Sequence, residues 1–306
     1  MNTSSLPLRI ACAQVAPKVA DVIHNREVSN AAIIEAAREG AELVVLPELM
    51  QSGYVFEDRD EALSVAEGLY DATVKGWFAL ARQHEIMVVA GLCERLSATE
   101  VANSVVLIEP QGWITCYRKV HLWDREKLIF TPGEQPPPVV RTAKGRIALM
   151  ICYDLELPEW VRLAALGGAQ LLCAPANWPE FPRPPEERPA EIVRVQAGAA
   201  VNRMFIAVCD RHGSERGVDW VGGSTIVDAD GFPLAGASSL PEAQLLLADL
   251  DLSDADYKWI SDHNHVHEDR QPQLYGGVCN TSTQSARHPS AHCSRTEYNP
   301  PPHRHQ

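Results

Sequence analysis

Three short segments hold side chains that could do covalent chemistry together. The run Val44-Val45-Leu46-Pro47 ends on the carboxylate of Glu48. The run Tyr117-Arg118-Lys119-Val120-His121 places a lysine at the end of an apolar hairpin arm. The run Ala148-Leu149-Met150-Ile151 ends on Cys152, and a polar turn, Tyr153-Asp154, leads on to Leu155-Glu156-Leu157-Pro158-Glu159. Each segment alone has an ordinary reading. Glu48 would be a surface residue after a proline turn, Lys119 a solvated charge that blunts a sheet edge, and Cys152 a buried structural thiol. Together they suit one reaction. A thiol is only slightly ionised at neutral pH and needs a base to become a strong nucleophile. A carboxylate can take that proton if burial raises its pKa. Attack on an amide carbonyl then puts negative charge on oxygen, which a lysine ammonium and the backbone N–H after the nucleophile can hold. Glu48, Lys119, Cys152 and the Tyr153 amide supply those parts.

Such parts need packed elements behind them. Leu8–Val15, Glu42–Pro47, Ile86–Cys93, Arg146–Tyr153, Gln170–Ala176, Phe205–Cys209, Ser224–Val227 and Leu245–Leu250 are apolar runs that predict strands. Ser104–Glu109 and Trp113–Val120 flank a Pro-Gln-Gly turn and predict a hairpin. Helical spacing predicts helices over Val28–Arg38, with Gly40 placed to cap its end, and over Val74–His84, Glu159–Leu166 and Glu187–Asn202. Strand–helix–strand units followed by hairpins predict mixed sheets with helices outside. Two such sheets face to face, covered on both sides, make a four-layer α/β sandwich. All three chemical segments then lie at strand ends, where ligands gather in open α/β sheets. From about Cys279 to Gln306, Thr, Ser, Pro, His and Asn dominate. The expected organisation is one domain over residues 1–278 and a polar tail over 279–306 that cannot bury enough surface to order itself.

Composition narrows the partners. The 306 residues are 45% apolar and 22% charged, ordinary for a soluble globular protein with a sizeable core. The formal net charge is −13 and no block of Lys or Arg occurs, which argues against nucleic acid or an anionic membrane surface as partner. No basic start followed by an apolar run is present, and no stretch reaches the ~18 apolar residues of a membrane span. The eight cysteines are scattered without a CxxC pair, so the expectation is a reducing cytoplasm and no disulfide framework.

The set LPE, YRKVHL and ICYDLELPE, in that order, resembles the nitrilase (carbon–nitrogen hydrolase) superfamily over roughly residues 8–278. The three motifs together are highly specific, and any one of them is not. The resemblance implies an αββα sandwich, a Glu-Lys-Cys triad, a thioester acyl-enzyme, no metal or other cofactor, and at least a homodimer. On this chain Glu48 matches the general base, Lys119 the oxyanion-stabilising lysine and Cys152 the nucleophile. Glu126, shortly before Phe130-Thr131-Pro132-Gly133, matches a second glutamate found in many members; its ordinary reading is a helix-surface residue. Gly223-Ser224-Thr225-Ile226-Val227-Asp228-Ala229-Asp230-Gly231 is similar to the family's late strand and turn, and Arg270-Gln271-Pro272-Gln273-Leu274-Tyr275 resembles its C-terminal end.

Nitrile-cleaving members usually carry Cys-Trp-Glu at the nucleophile. Here the residues are Cys152-Tyr153-Asp154, which favours amides, with N-carbamoyl amino acids as the alternative, nitriles behind them, and a non-enzymatic scaffold with a vestigial site as the other class. Tyr153, Tyr54, Trp123, Asn177 and Trp178 are the candidate substrate-binding residues; core packing is the alternative for each aromatic. The proline-rich segment 179–189 is expected to lie over the site. Apolar positions Val161, Leu163, Ala164 and Leu166 offer a face for a homodimer or higher homo-oligomer. His263, His265 and His267 look like a metal tract, yet no cysteine pair or HExxH accompanies them, so they are read as a polar lead-in to the C-terminal segment.

Overall fold

The computed structural model describes residues 7–236 and 238–280. In chain order the elements that build the site are β1 Leu8–Gln14, α1 Val22–Arg38, β2 Leu43–Val45, α2 Arg59–Val65, α3 Ala72–His84, β3 Met87–Arg95, β4 Val101–Ile108, β5 Ile114–Arg118 and α4 Glu126–Ile129. Then come β6 Val139–Arg141, β7 Arg146–Leu149, α5 Pro158–Leu166, β8 Leu171–Pro175, α6 Ala190–Asn202 and β9 Phe205–Cys209.

Two six-stranded sheets result. The first has the order Gln244–Leu250, β1, β2, β3, β4, β5; the second has Pro233–Gly236, Thr225–Val227, β9, β8, β7, β6. Each has three parallel strands at its heart, β1-β2-β3 and β7-β8-β9, with antiparallel strands on either side. The parallel strands β2, β8 and β9 are buried along their whole length, which is why they read as unbroken apolar runs. Side chains alternate across β1. Ile10 and Cys12 pack into a core shared with Ile147, Leu149 and Leu171 of the second sheet. Ala11 and Ala13 face the other way, onto Ile33 and Ala36 of α1 and Trp77 and Ala81 of α3. Val161 and Ala164 of α5, with Ile192 and Val195 of α6, pack with the second sheet. The layers are helix, sheet, sheet, helix: the αββα sandwich that the sequence predicts.

The departures have local causes. Helix α1 begins six residues before the expected Val28, with the Asp21 carboxylate accepting the His24 N–H at 3.1 Å. Its first turns bury Asn25 and Ser29, so no apolar stripe marks them. Asn25 instead holds Lys18 through both backbone groups (2.7 and 2.8 Å), and the Ser29 hydroxyl accepts from the Trp77 indole at 2.9 Å. Strand β7 stops at Leu149 rather than Tyr153, because the chain leaves the ladder and turns at Cys152. The edge strands β6 and Pro233–Gly236 are half exposed and carry no strong apolar pattern.

The described residues fall into two compact units, one ending at His267 and one beginning at Glu268. In the second, a turn Pro272–Leu274 precedes a short helix, Gly276–Asn280, and the Arg270 guanidinium lies 5.6 Å from the Tyr275 ring centre. The polar tail read over 279–306 falls almost wholly outside the described residues. No helix among the described residues is long and apolar enough to cross a membrane.

Candidate active site

Glu48 follows β2. The Leu46 N–H still bonds the Val89 carbonyl at 2.8 Å, and then the chain turns away through Leu49 at φ +49°. This turn lies so close to β3 that Gly91 can carry no side chain: a Cβ there would fall 2.2 Å from the Leu49 nitrogen. From across the molecule, Asn177 Nδ2 donates to the Glu48 carbonyl at 2.8 Å. The Glu48 carboxylate is thereby fixed in the interior with no solvent exposure.

Lys119 is the first residue past β5, anchored through its N–H to the Asn103 carbonyl at 2.9 Å. Its ammonium donates to Glu48 Oε1 at 2.7 Å and to Glu126 Oε1 at 2.8 Å, and it too is fully buried. Glu126 opens α4 but points inward, contrary to its helix-surface reading. Its Oε1 also accepts from the Tyr54 hydroxyl at 2.8 Å, and its Oε2 from the Trp123 N–H at 2.8 Å.

Cys152 begins a 3₁₀ turn, Cys152–Glu156, and adopts φ +46°, a conformation uncommon outside glycine and one that recurs at functional sites. Asp154 staples this turn. Its Oδ2 accepts from the Ile151 N–H (3.2 Å) and the Tyr117 hydroxyl (2.7 Å), and its Oδ1 from the His121 N–H (3.1 Å). The Cys152 sulfur lies 3.8 Å from the Asn177 carbonyl, so Asn177 joins the thiol to the Glu48 backbone. The structure thus gathers Glu48, Lys119, Glu126 and Cys152 in one buried cluster.

Asn103 was not singled out in the sequence. Its Nδ2 donates to Glu48 Oε1 at 2.7 Å and to Glu126 Oε1 at 3.3 Å. The signal was there: an amide side chain in β4, a strand buried at every position, needs a polar partner. With Lys119 and Asn103 both on Oε1, Glu48 Oε2 is left buried without a hydrogen bond. A free acceptor of that kind is costly to hold and is satisfied by any proton brought to it.

Charge sets the protonation states. Two carboxylates and one ammonium share the cluster, so one extra proton is well tolerated. Burial pushes the Glu48 carboxyl up to about 7; Lys119 opposes the shift and Glu126 adds to it. For Lys119, burial pulls the pKa down, but Glu126 and Glu48 more than reverse this and hold the ammonium charged. Burial, then the Glu48 charge, pushes the Cys152 thiol well above its ordinary value, so the thiol rests neutral.

Cys152, Tyr153, Asn177 and Trp178 border a narrow space of 20 Å³. It shares Trp123, Pro179 and Phe181 with a cavity of 630 Å³ whose walls include Tyr54, Phe130 and Trp220. All five candidate substrate-binding residues therefore border one of the two spaces. The Trp123 and Tyr153 rings meet edge to face at 5.0 Å. The Trp178 N–H is held by Asp210 at 3.0 Å, and burial pushes the Asp210 carboxyl up to about 7. Of the proline-rich segment, Pro179 and Phe181 border the site; residues 182–189 line a different surface cavity beside Pro233 and Ser239. Among the described residues, no three His, Cys, Asp or Glu side chains are grouped to hold a metal, the histidine tract included. His265 packs on Trp259 instead, at 5.0 Å.

A second buried group supports the first. Glu215 Oε2 accepts the N–H groups of Tyr54 (2.9 Å) and Val55 (2.8 Å) and pairs with Arg211 at 3.0 Å. Arg211 stacks on Trp220 at 4.8 Å, and Trp220 meets Tyr54 edge to face at 5.3 Å. Glu215 thus fixes the tyrosine that bonds Glu126. Glu215→Ala is expected to lower stability by about 3–5 kcal/mol, because it strands the Arg211 charge in the interior. In the protein still folded, it is expected to raise KM with a smaller loss in kcat, and Glu215→Gln to recover part of the loss. Thermal melts and steady-state kinetics check this; an unchanged KM in Glu215→Ala would remove the link to Tyr54.

A family model described as carbon–nitrogen hydrolase matches residues 9–257. The chain belongs to the carbon–nitrogen hydrolase family. It is accordingly a hydrolase of non-peptide carbon–nitrogen bonds. Among relatives, a protein named nitrilase from Pyrococcus abyssi is 34% identical over 88% of this chain and 99% of its own length. An (R)-stereoselective amidase from Pseudomonas sp. is 32% identical over 83% and 91%. A variant of the amidase from Nesterenkonia sp. AN1 superposes with a TM-score of 0.76 at 29% identity, covering 90% of this chain and 98% of that one. That variant shows covalent addition of the acetamide moiety of fluoroacetamide at its active-site cysteine.

Proposed function

We propose that this carbon–nitrogen hydrolase is an amidase that hydrolyses a small linear carboxamide through a thioester on Cys152. One observation carries the reading: a neutral thiol at a left-handed strand end sits with a buried carboxylate that keeps one oxygen free and with a buried ammonium. In acylation Glu48 takes the thiol proton as sulfur attacks the carbonyl carbon. Lys119 and the Tyr153 N–H hold the oxyanion. The carbon–nitrogen bond breaks and the amine leaves with the proton from Glu48, as ammonia when the amide is primary. Water then gives a proton to Glu48 and attacks the thioester; the carbon–sulfur bond breaks, Glu48 returns the proton to the sulfur, and the carboxylic acid leaves with the free thiol restored. Glu126 holds Lys119 and bounds the space for the leaving amine. Apart from the attacking water, these roles fall to side chains and one backbone N–H of the chain itself, and the proposed reaction uses no metal or cofactor.

The Cys152-Tyr153-Asp154 sequence favours amides over nitriles. The test is a panel of primary amides, N-carbamoyl amino acids and nitriles, read by ammonia release. Turnover of amides is expected; turnover confined to nitriles or N-carbamoyl compounds would replace the reading, and turnover of none would favour a scaffold role. Among the described residues, Cys12, Cys93, Cys116, Cys152, Cys173 and Cys209 are free thiols, which supports a reducing cytoplasm. We also propose a homodimer. Helices α5 and α6 leave Leu163 (46% exposed), Leu166 (41%), Val193 (51%) and Val201 (55%) in water, and a second copy could cover these side chains. Light scattering is expected to give twice the chain mass at micromolar concentration; a monomer would refute the dimer.

A further inference from the structure

The space around the thiol has an uneven lining. The buried walls of the 630 Å³ cavity are largely apolar: Phe56, Ile129, Phe130 and Trp220 are buried, Glu126, bonded to the Tyr54 hydroxyl, is the buried polar exception, and Trp123 and Phe181 also line the narrow space at Cys152. The mouth is acidic. Asp124, Glu180 and Asp219 stand exposed on the rim. The narrow space at the thiol adds Glu156 and Glu191, both paired to Arg194 (3.0 and 3.5 Å). Arg125 is the one cation among the residues lining either space, and its Nη2 already donates to the Glu57 carbonyl at 2.9 Å. Lys119 is committed to two carboxylates and, on the proposed chemistry, to the oxyanion.

A substrate carboxylate would find one cation here, Arg125, which is exposed next to Asp124, and none among the buried aromatic walls. It would have to shed water against aromatic walls, and burying an unpaired anion is strongly unfavourable. It would also approach through the field of Asp124 and Asp219, with Glu180 paired to Arg183, on a chain of net charge −13. An apolar arm loses nothing by entering and gains from each methylene it buries.

We propose that this site selects amides whose acyl arm is uncharged and apolar, and discriminates against arms that end in a carboxylate. This rests on the amidase reading, and the test separates the two. Hexanamide and 6-amino-6-oxohexanoate have similar length and differ at the far end in a methyl against a carboxylate. The expected kcat/KM is at least about tenfold higher for hexanamide at low salt, the scale of one like-charge interaction at a partly screened surface. Salt narrows the ratio, because exposed charges are screened. The triple variant Asp124→Asn/Glu180→Gln/Asp219→Asn is expected to narrow it as well. Protection of Cys152 from iodoacetamide by the same two compounds, mapped by mass spectrometry, reads binding without turnover. If hexanamide protects at the lower concentration and neither compound is hydrolysed, the amidase reading fails and the charge selection stands. Equal or better use of the carboxylate compound, protection by neither, or a ratio unmoved in the triple variant would overturn the selection.

Discussion

Cys152→Ala is expected to lose turnover by on the order of 10⁴-fold or more, the scale seen when a covalent nucleophile is removed from a hydrolase. No other cysteine takes that place in the proposed sequence: Cys12, Cys93, Cys116, Cys173 and Cys209 lie in strands, where burial raises their thiols as well, and Cys279 lies in the short helix Gly276–Asn280 of the second unit. The fold should tolerate the change. Alanine removes one sulfur from a site that already borders a space, and it meets the same left-handed backbone that cysteine accepts. Cys152→Ser is expected to be almost as inactive. A hydroxyl is far harder to deprotonate than a thiol, and a carboxylate of pKa about 7 is matched to the latter. Circular dichroism and a melting curve establish that the variants fold. Ammonia release from the best amide then decides: activity in Cys152→Ala above a small fraction of wild type would remove Cys152 as nucleophile. Alkylation mapping gives the positive counterpart, with Cys152 expected to react first and bound amide to slow it.

The fold was legible where one physical signal dominates. Strand β9 lies over Phe205–Cys209 as predicted, because a strand buried on both faces has nowhere to hide a polar residue. Legibility failed where polar groups are buried with partners far away in sequence. Asn25 and Ser29 erased the start of α1, and Asn103, Arg211 and Glu215 look like loop or surface residues until the fold brings them to Glu48, Trp220 and Tyr54. The turn at Cys152 reads as strand in the sequence because Met150 and Ile151 are as apolar as the strand before them. What ends β7 is the Asp154 carboxylate reaching back to Ile151, a contact that periodicity does not record. Tyr54 was read as a pocket wall, and it does border the cavity. Its hydroxyl bond to Glu126 depends on a loop held from residue 215, which local sequence cannot express.

Glu48→Gln is expected to lower acylation by about 10²–10⁴-fold, the range of a lost general base, and Glu126→Gln to lower it by no more than about 10²-fold through misplacement. Size alone does not separate the two roles, because both carboxylates bond the same ammonium at nearly equal distance, 2.7 and 2.8 Å. The pH profile of kcat/KM does. Glu48 must be ionised to accept the thiol proton, and its carboxyl is raised to about 7, so activity should rise with pH through that value. Below it Glu48 is protonated and acylation stops; above it the base is available and the profile flattens. Glu48→Gln has no carboxyl to ionise, so the limb near 7 should vanish and the residual rate should follow the thiol alone, which titrates well above its ordinary value. Glu126→Gln should keep the limb and move it to lower pH. The Glu126 charge is one cause of the raised Glu48 pKa, so removing it relieves the repulsion. It also leaves Lys119 to Glu48, and a cation with one anionic partner stabilises that anion more. The two variants therefore differ in the sign and existence of a shift, not just in rate. A limb that disappears in Glu126→Gln and merely shifts in Glu48→Gln would exchange the two roles and make Glu126 the base.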